Sequence, residues 1–222
     1  MREEQETHDG QVGFLHDGPG SVFSIAGRGG HLSGTVVFQD AFTAANANLN
    51  VAPNGATSVS VAGGNATVTL ANPNIGRGLI YFTDQYGDAS VCTTFNTLAT
   101  DKFEDQDGGV IFWAKDYTSY YAFFASPAKG SFAVLQMVPG STSWATAIPW
   151  TASNAVQKVA GAANSVRVQT KGTQAMLFIN DQQVGTLTGT PPAGGGLVGF
   201  DALSSDTSAS TLIFTGFTVA IQ

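Results

Sequence analysis

From Thr35 onward the chain keeps no long apolar run at helical spacing. It alternates apolar and polar residues, or bunches Val, Ile, Phe and Thr, between turn signals rich in Gly, Asn and Asp. "TSVSVAGGNATVTLA" is two alternating runs around Gly63-Gly64-Asn65, the pattern of a tight hairpin. "GGVIFWAKDYTSYYAFFAS" reads as a second hairpin turning at Asp116–Ser119. "NSVRVQTKGTQAMLFINDQQVGTLTG" holds three strands with turns at Lys171-Gly172 and Asn180-Asp181. "TVVFQDAF", "RGLIYFTD", "ASVCTTFNTL", "GSFAVLQMV", "TAIPW", "GGLVGFDA" and "STLIFTGFTVAI" supply further strands, and only "AFTAANANLN" is suited to a helical turn or two. Many short strands at regular spacing predict an all-β fold, an antiparallel two-sheet β-sandwich.

The 222 residues divide into a lead segment, 1–34, and a sandwich domain, 35–222. The lead holds five of the sixteen acids, all three histidines (His8, His16, His31) and many glycines. It reads as a flexible extension or a remnant of cloning, with one loose strand at "SVFSIA". The body is 43% hydrophobic by whole-chain composition, enough for a core, and only 11% charged. Nine basic residues against a net charge of −7 do not make a phosphate-binding surface, which argues against nucleic acid and against anionic membranes. No apolar run approaches a membrane span. The single cysteine, Cys92, allows no internal disulfide. "MREEQETHDG" is acidic where a signal peptide is basic, so the expected location, extracellular or periplasmic, does not come from a visible leader. Asn65–Thr67 is a glycosylation sequon in a suitable host.

The order "VVFQDAF", "GGVIFWAKDYTSYYAFFAS", "NSVRVQTKGTQAMLFINDQQVGTL", "GGGLVGFDA" and "FTGFTV" resembles the concanavalin A-like lectin/glucanase superfamily. Within it, the chain is most similar to bacterial jelly-roll domains of the 3-keto-disaccharide hydrolase or family 16-like laminin-G type, over about Val36 to Val219. The resemblance implies one convex and one concave sheet with sugars held on the concave side. The chain departs from the pattern at Trp113, where Arg is usual, and at Asn180-Asp181, where Asn-Gly is usual. The first makes the groove more aromatic, and the second still permits a type I′ turn.

Strict alternation puts Ile111, Trp113 and Lys115 on one face of their strand and Val110, Phe112 and Ala114 on the other. Lys115 marks the wetter face. Trp113 with Tyr120 or Tyr121 is then a candidate platform for a sugar's C–H face, and Phe112 and Phe123 belong to the core. The plainer reading packs Trp113 between sheets or under a loop. Trp144 and Trp150 in "STSWATAIPW" are candidates at the rim of the groove, against a reading in which Trp150 plugs the edge of the core.

The body has no histidine, which excludes Ser-His-Asp or Cys-His catalysis and His-based zinc unless the lead folds back. Glycoside hydrolysis needs two carboxylates. Glu104 is the only glutamate after Glu6, and the Glu-x-Asp-x-x-Glu strand of true family 16 glucanases is absent. The cluster Asp101, Glu104, Asp105 and Asp107 reads as a solvated loop, a calcium-type loop or a catalytic pair. By the resemblance, calcium is a candidate cofactor tying the ends of the fold together, with Asp40 and Asp201 as candidate ligands; a satisfied turn aspartate is the plainer role for Asp40. Three functions follow. The first is a non-catalytic carbohydrate-binding jelly roll recognising an oligosaccharide or polysaccharide on its concave face. The second is a glycoside hydrolase of the 3-keto-disaccharide hydrolase type using Glu104, Asp105 or Asp107. The third is a structural or adhesive surface domain without a small ligand. Neither the sugar nor the oligomeric state is legible.

Overall fold

The computed structural model describes residues 34–52, 54–98, 106–141, 143–204 and 208–221. The expected lead segment, its strand at "SVFSIA", Glu104 and Asp105 fall outside those residues, apart from Gly34. Among the described residues fourteen strands are formed: β1 (Thr35–Asp40), β2 (Thr57–Ala62), β3 (Asn65–Leu70), β4 (Gly76–Tyr86), β5 (Ala89–Thr97), β6 (Asp107–Asp116), β7 (Ser119–Ser126), β8 (Ser131–Met137), β9 (Ala145–Ala152), β10 (Asn164–Lys171), β11 (Gln174–Ile179), β12 (Gln182–Thr188), β13 (Gly196–Leu203) and β14 (Ser210–Ile221). No helix occurs among the described residues.

The strands make two antiparallel sheets. The larger runs β12-β11-β10-β5-β14-β3-β2, with β1 also pairing with β14, and the smaller runs β4-β13-β6-β7-β8-β9. The tight turns follow local chemistry. Gly63 and Gly64 have φ of 59° and 85°, so the β2–β3 hairpin closes on two left-handed residues. Asn180 and Asp181 do the same without glycine, at 49° and 67°. The Asn180 side chain offsets that cost: its Nδ2 donates to Ala155 O at 2.8 Å and to Asn164 Oδ1 at 3.1 Å, and its Oδ1 accepts from Ser165 N at 2.9 Å.

Between the sheets lies an aromatic core that includes Tyr81, Phe95, Phe200, Phe214 and Phe217, and, as expected, Phe112 and Phe123. A second apolar cluster covers the other, outward side of the six-stranded sheet, with Ile80, Ile111, Ala122 and Phe124 fully buried there. The six-stranded sheet is therefore packed on both faces, which explains why β6 and β7 read as nearly continuous apolar runs. β9 forms its edge, is mostly exposed, and carries Pro149, a residue tolerated where no ladder partner follows.

Candidate functional site

The expectation that alternation places Trp113 with Lys115 on a wet face is corrected by a β-bulge. On β13 one residue, Val198, separates Gly199 from Leu197, whereas their partners on β6, Ile111 and Ala114, are separated by both Phe112 and Trp113. The extra residue takes φ = 48° at Trp113 and breaks the period of two. Phe112 and Trp113 both enter the inter-sheet core, their rings 5.2 Å apart, and Trp113 is 4% exposed. Tyr121, half-buried, packs against the same core, stacked on Phe112 at 5.7 Å and edge-on to Trp113 at 5.7 Å. Gly196 and Gly189 make room for the bulge: a Cβ on Gly196 would stand 2.6 Å from Trp113 Cα, and one on Gly189 2.8 Å from its indole. From Ala114 on, alternation resumes with Ala114 outward.

Of the aromatics of this hairpin, Phe124 and Tyr120 both belong to the outward cluster, and the one with a polar group is Tyr120. It is buried, its hydroxyl donates to Asp201 Oδ2 at 3.1 Å, and Trp144 lies edge-on against its ring at 5.5 Å and against Phe124 at 5.8 Å. Trp144 leaves the loop between β8 and β9, where Ser141 N donates to Val138 O at 3.0 Å and Ser141 Oγ to Ser143 O at 2.8 Å. Together with Trp150 it lines a hollow of about 380 Å³ whose walls also include Asp107, Lys129 and Ser204. Lys129 Nζ sits 5.4 Å from the centre of the Trp150 ring, and Trp150 is 38% exposed. The site thus offers an accessible indole, a second indole fixed by edge contacts, an ammonium and a buried carboxylate side chain.

Asp201 lies on β13, between β4 and β6, opposite Gly109 of β6 and Gly78 of β4. It is completely buried. Burial pushes its carboxyl up to about 7, against the hydrogen bond from Tyr120 and the positive charge of Arg77, which both act to lower it. Burial, reinforced by the neighbouring Asp201 charge, raises Tyr120 well above the ordinary phenol range. Asp107 sits one pleat further along the same face, beside Leu203.

Asp40 and Asp201 do not form one site. Asp40 Oδ2 accepts from the Tyr81 hydroxyl at 3.0 Å and its Oδ1 from Phe42 N at 2.8 Å, on the inner side of the six-stranded sheet, whereas Asp201 faces outward. The ends of the fold are tied by the β1–β14 ladder, from Thr35 opposite Ile221 to Asp40 opposite Phe217. Among the described residues no group of three or more His, Cys, Asp or Glu is placed to hold a metal ion. Lys115 is exposed and lines a separate hollow of about 330 Å³ with Gln85, Ala114, Pro192, Ala193 and Gly195. The contact missed by sequence reasoning is Tyr120–Asp201, which joins residues 81 positions apart.

No family model and no curated protein matches the chain. Solved structures do. The carbohydrate binding module CBM66 from Bacillus subtilis is similar with TM-score 0.53 and 12% identity, covering 70% of this chain and 86% of that one. The Bacillus licheniformis beta-glucanase is similar with TM-score 0.56 and 10% identity, covering 86% and 100%. A Bacteroides ovatus mixed linkage glucan GH16, in complex with a product, has TM-score 0.57 at 6% identity, covering 83% and 100%. The fold is accordingly the concanavalin A-like jelly roll that the strand order suggested.

Proposed function

We propose that this protein is a non-catalytic carbohydrate-binding jelly-roll domain that takes a glycan on the outward face of its six-stranded sheet. The observation that carries this reading is the hollow between Trp144 and Trp150. A sugar ring has an apolar C–H face and a rim of hydroxyls; an exposed indole stacks on the first, and charged or hydroxyl groups bond the second. Trp150 supplies the plane, and Lys129, Asp107 and Ser204 supply the rim partners. Trp144, wedged against Tyr120 and Phe124, forms a wall that does not need to be ordered on binding. The similar fold of a carbohydrate binding module adds support. Such a domain acts on glycans outside the cytoplasm, in the extracellular space or periplasm.

One observation favours a second reading, a glycoside hydrolase. Asp107 and Asp201 stand diagonally on neighbouring strands of this face, roughly 7–8 Å apart at their backbones, and one is a carboxyl held protonated near neutrality. Glu104 and Asp105 belong to the same reading. Binding and catalysis separate experimentally. The wild type and Trp150→Ala are applied to a glycan array, and both Asp107→Asn and the wild type are incubated with ordinary and 3-keto disaccharides. Array binding lost in Trp150→Ala, with no hydrolysis by the wild type, supports the binding domain. Hydrolysis lost in Asp107→Asn replaces it with the enzyme.

A further inference from the structure

Trp144 rests, through one intermediary, on a buried carboxyl. Its indole meets the Tyr120 ring edge-on at 5.5 Å, and the Tyr120 hydroxyl donates to Asp201 Oδ2 at 3.1 Å. Asp201 is fully buried, and its other oxygen, Oδ1, makes no hydrogen bond. Two glycines of β4 leave the room this arrangement needs. A Cβ on Gly78 would stand 2.9 Å from the Tyr120 hydroxyl and 3.4 Å from Asp201 Oδ2. A Cβ on Gly76 would stand 2.6 Å from Leu203 Cδ2 and 3.9 Å from Asp201 Oδ1. Gly76 and Leu203 also line the hollow of Trp144 and Trp150. The unpartnered oxygen is therefore one layer of atoms away from that hollow.

The charges around the carboxyl do not neutralise it. From β4, Arg77 adds a positive field, but its Nη2 donates to Asn50 O and Ala52 O at 3.0 and 2.8 Å. From β7 comes the neutral Tyr120 hydroxyl, with Tyr117 of the β6–β7 turn in its field. From β6, Asp107 stands diagonally on the same face, a second acid. Lys129 lines the hollow against Trp150, and Val138–Ala145, which brings Trp144, carries no ionisable side chain. An ionised Asp201 would have the Tyr120 hydroxyl as its donor and an Arg77 engaged elsewhere, a costly state for a buried charge. The nearest relief is the hollow. To reach it the carboxylate passes Gly76 and displaces Leu203, and the move takes the acceptor away from Tyr120.

We propose that Asp201 is the positioning residue of the glycan site: protonated, it holds Tyr120 and the Trp144 wall, and ionised, it moves toward the hollow and releases both wall and ligand. The proton passes to bulk water. This rests on the glycan-binding reading of the hollow. Burial puts the titration at about 7, so affinity should fall as pH rises through that value. Calorimetric titrations of laminarin, mixed-linkage glucan, xylan and dextran at pH 6.0, 7.0 and 8.5 test this on the wild type, Asp201→Asn and Tyr120→Phe. Wild-type affinity for the polymer that binds should fall about tenfold or more from pH 6.0 to 8.5, since the protonated form alone binds. Asp201→Asn keeps the acceptor, cannot ionise, and should bind alike at all three. It retains His8, His16 and His31, so any titration of theirs persists in it. Tyr120→Phe removes a hydrogen bond that favours the carboxylate, so its fall should move to higher pH; that shift decides the question should Asp201→Asn melt early. A second readout needs no ligand. In Trp150→Phe the remaining indoles are Trp144 and the core Trp113, so acrylamide quenching should rise with pH through Trp144, and adding Asp201→Asn should abolish the rise. Polymer binding that is equal at all three pH values, or that falls as steeply in Asp201→Asn, overturns the switch and leaves the binding function standing. A wild type that binds no glycan overturns the binding function, and equal quenching at pH 6.0 and 8.5 then rejects the switch on its own.

Discussion

The Tyr120 hydroxyl meets Asp201 Oδ2 at 3.1 Å beneath the edge of the Trp144 indole, so the wall of the hollow rests on a carboxyl that water does not reach. That carboxyl holds its proton up to about pH 7 in the folded protein, against about 3.9 in an unfolded chain. Its contribution to stability is full below about pH 4 and is lost as pH rises through 7. The loss is on the order of 3–4 kcal/mol. Asp201→Asn keeps an acceptor for Tyr120 and cannot ionise. The variant should therefore lose this part of the fall in stability between pH 4 and 7.5, as measured by urea titration at each pH. Equal pH slopes in the two proteins would reject the assignment.

Trp113 and Trp150 should behave oppositely. Trp113 fills the core at the bulge, and its truncation to Ala should cost about 3–5 kcal/mol. Trp150→Ala should cost under about 1 kcal/mol of stability but 1–3 kcal/mol of glycan affinity. Thermal melts with and without the best array ligand measure both quantities on the same samples.

Asn180 combines a left-handed φ with three side-chain hydrogen bonds. Asn180→Ala loses both and should be destabilised by about 2–4 kcal/mol, while Asn180→Gly regains the backbone freedom alone and should fall between Ala and wild type. Urea midpoints of the three proteins give the order. If Gly restores full stability, the hydrogen bonds contribute nothing.

Gly108 is set by a close approach rather than a turn. A Cβ there would lie 2.4 Å from the fully buried Phe95 ring. Gly108→Ala should cost about 1–3 kcal/mol by overpacking, and Phe95→Leu in the same molecule should return part of it. A double-mutant cycle in chemical denaturation reads the coupling, and additive losses would contradict the clash.

What could be read from the sequence was local. Strands and hairpins at Gly63-Gly64 and Asn180-Asp181 announce themselves through period-two patterning and residues that tolerate positive φ, and Phe112 and Phe123 follow from that pattern. The bulge at Trp113 does not, because nothing in "VIFWAK" says that two successive side chains will point the same way; the reason lies in Gly196 and Gly189, far along the chain. The same distance hid the partner of Tyr120. Asp201 reads in sequence as a residue near one end of the fold, yet strand order puts β13 between β4 and β6 and brings the carboxyl onto an inner strand of the sheet. Trp144 and Trp150 stand out in the sequence because large apolar residues are conspicuous in a stretch rich in Ser, Thr and Pro.

Both indoles of the first hollow come from a single stretch, the loop after β8 and the edge strand β9, whose outer side pairs with no neighbour in the sheet. The aromatic wall of this hollow and the inner ladder of the sheet are thereby written in different parts of the chain. Exchanging residues 138–152 for another sequence of similar length alters the ligand-facing wall while leaving the inner ladder from β4 to β8 in place. The edge is a cassette position, where directed evolution can sample new ligands with little risk to folding.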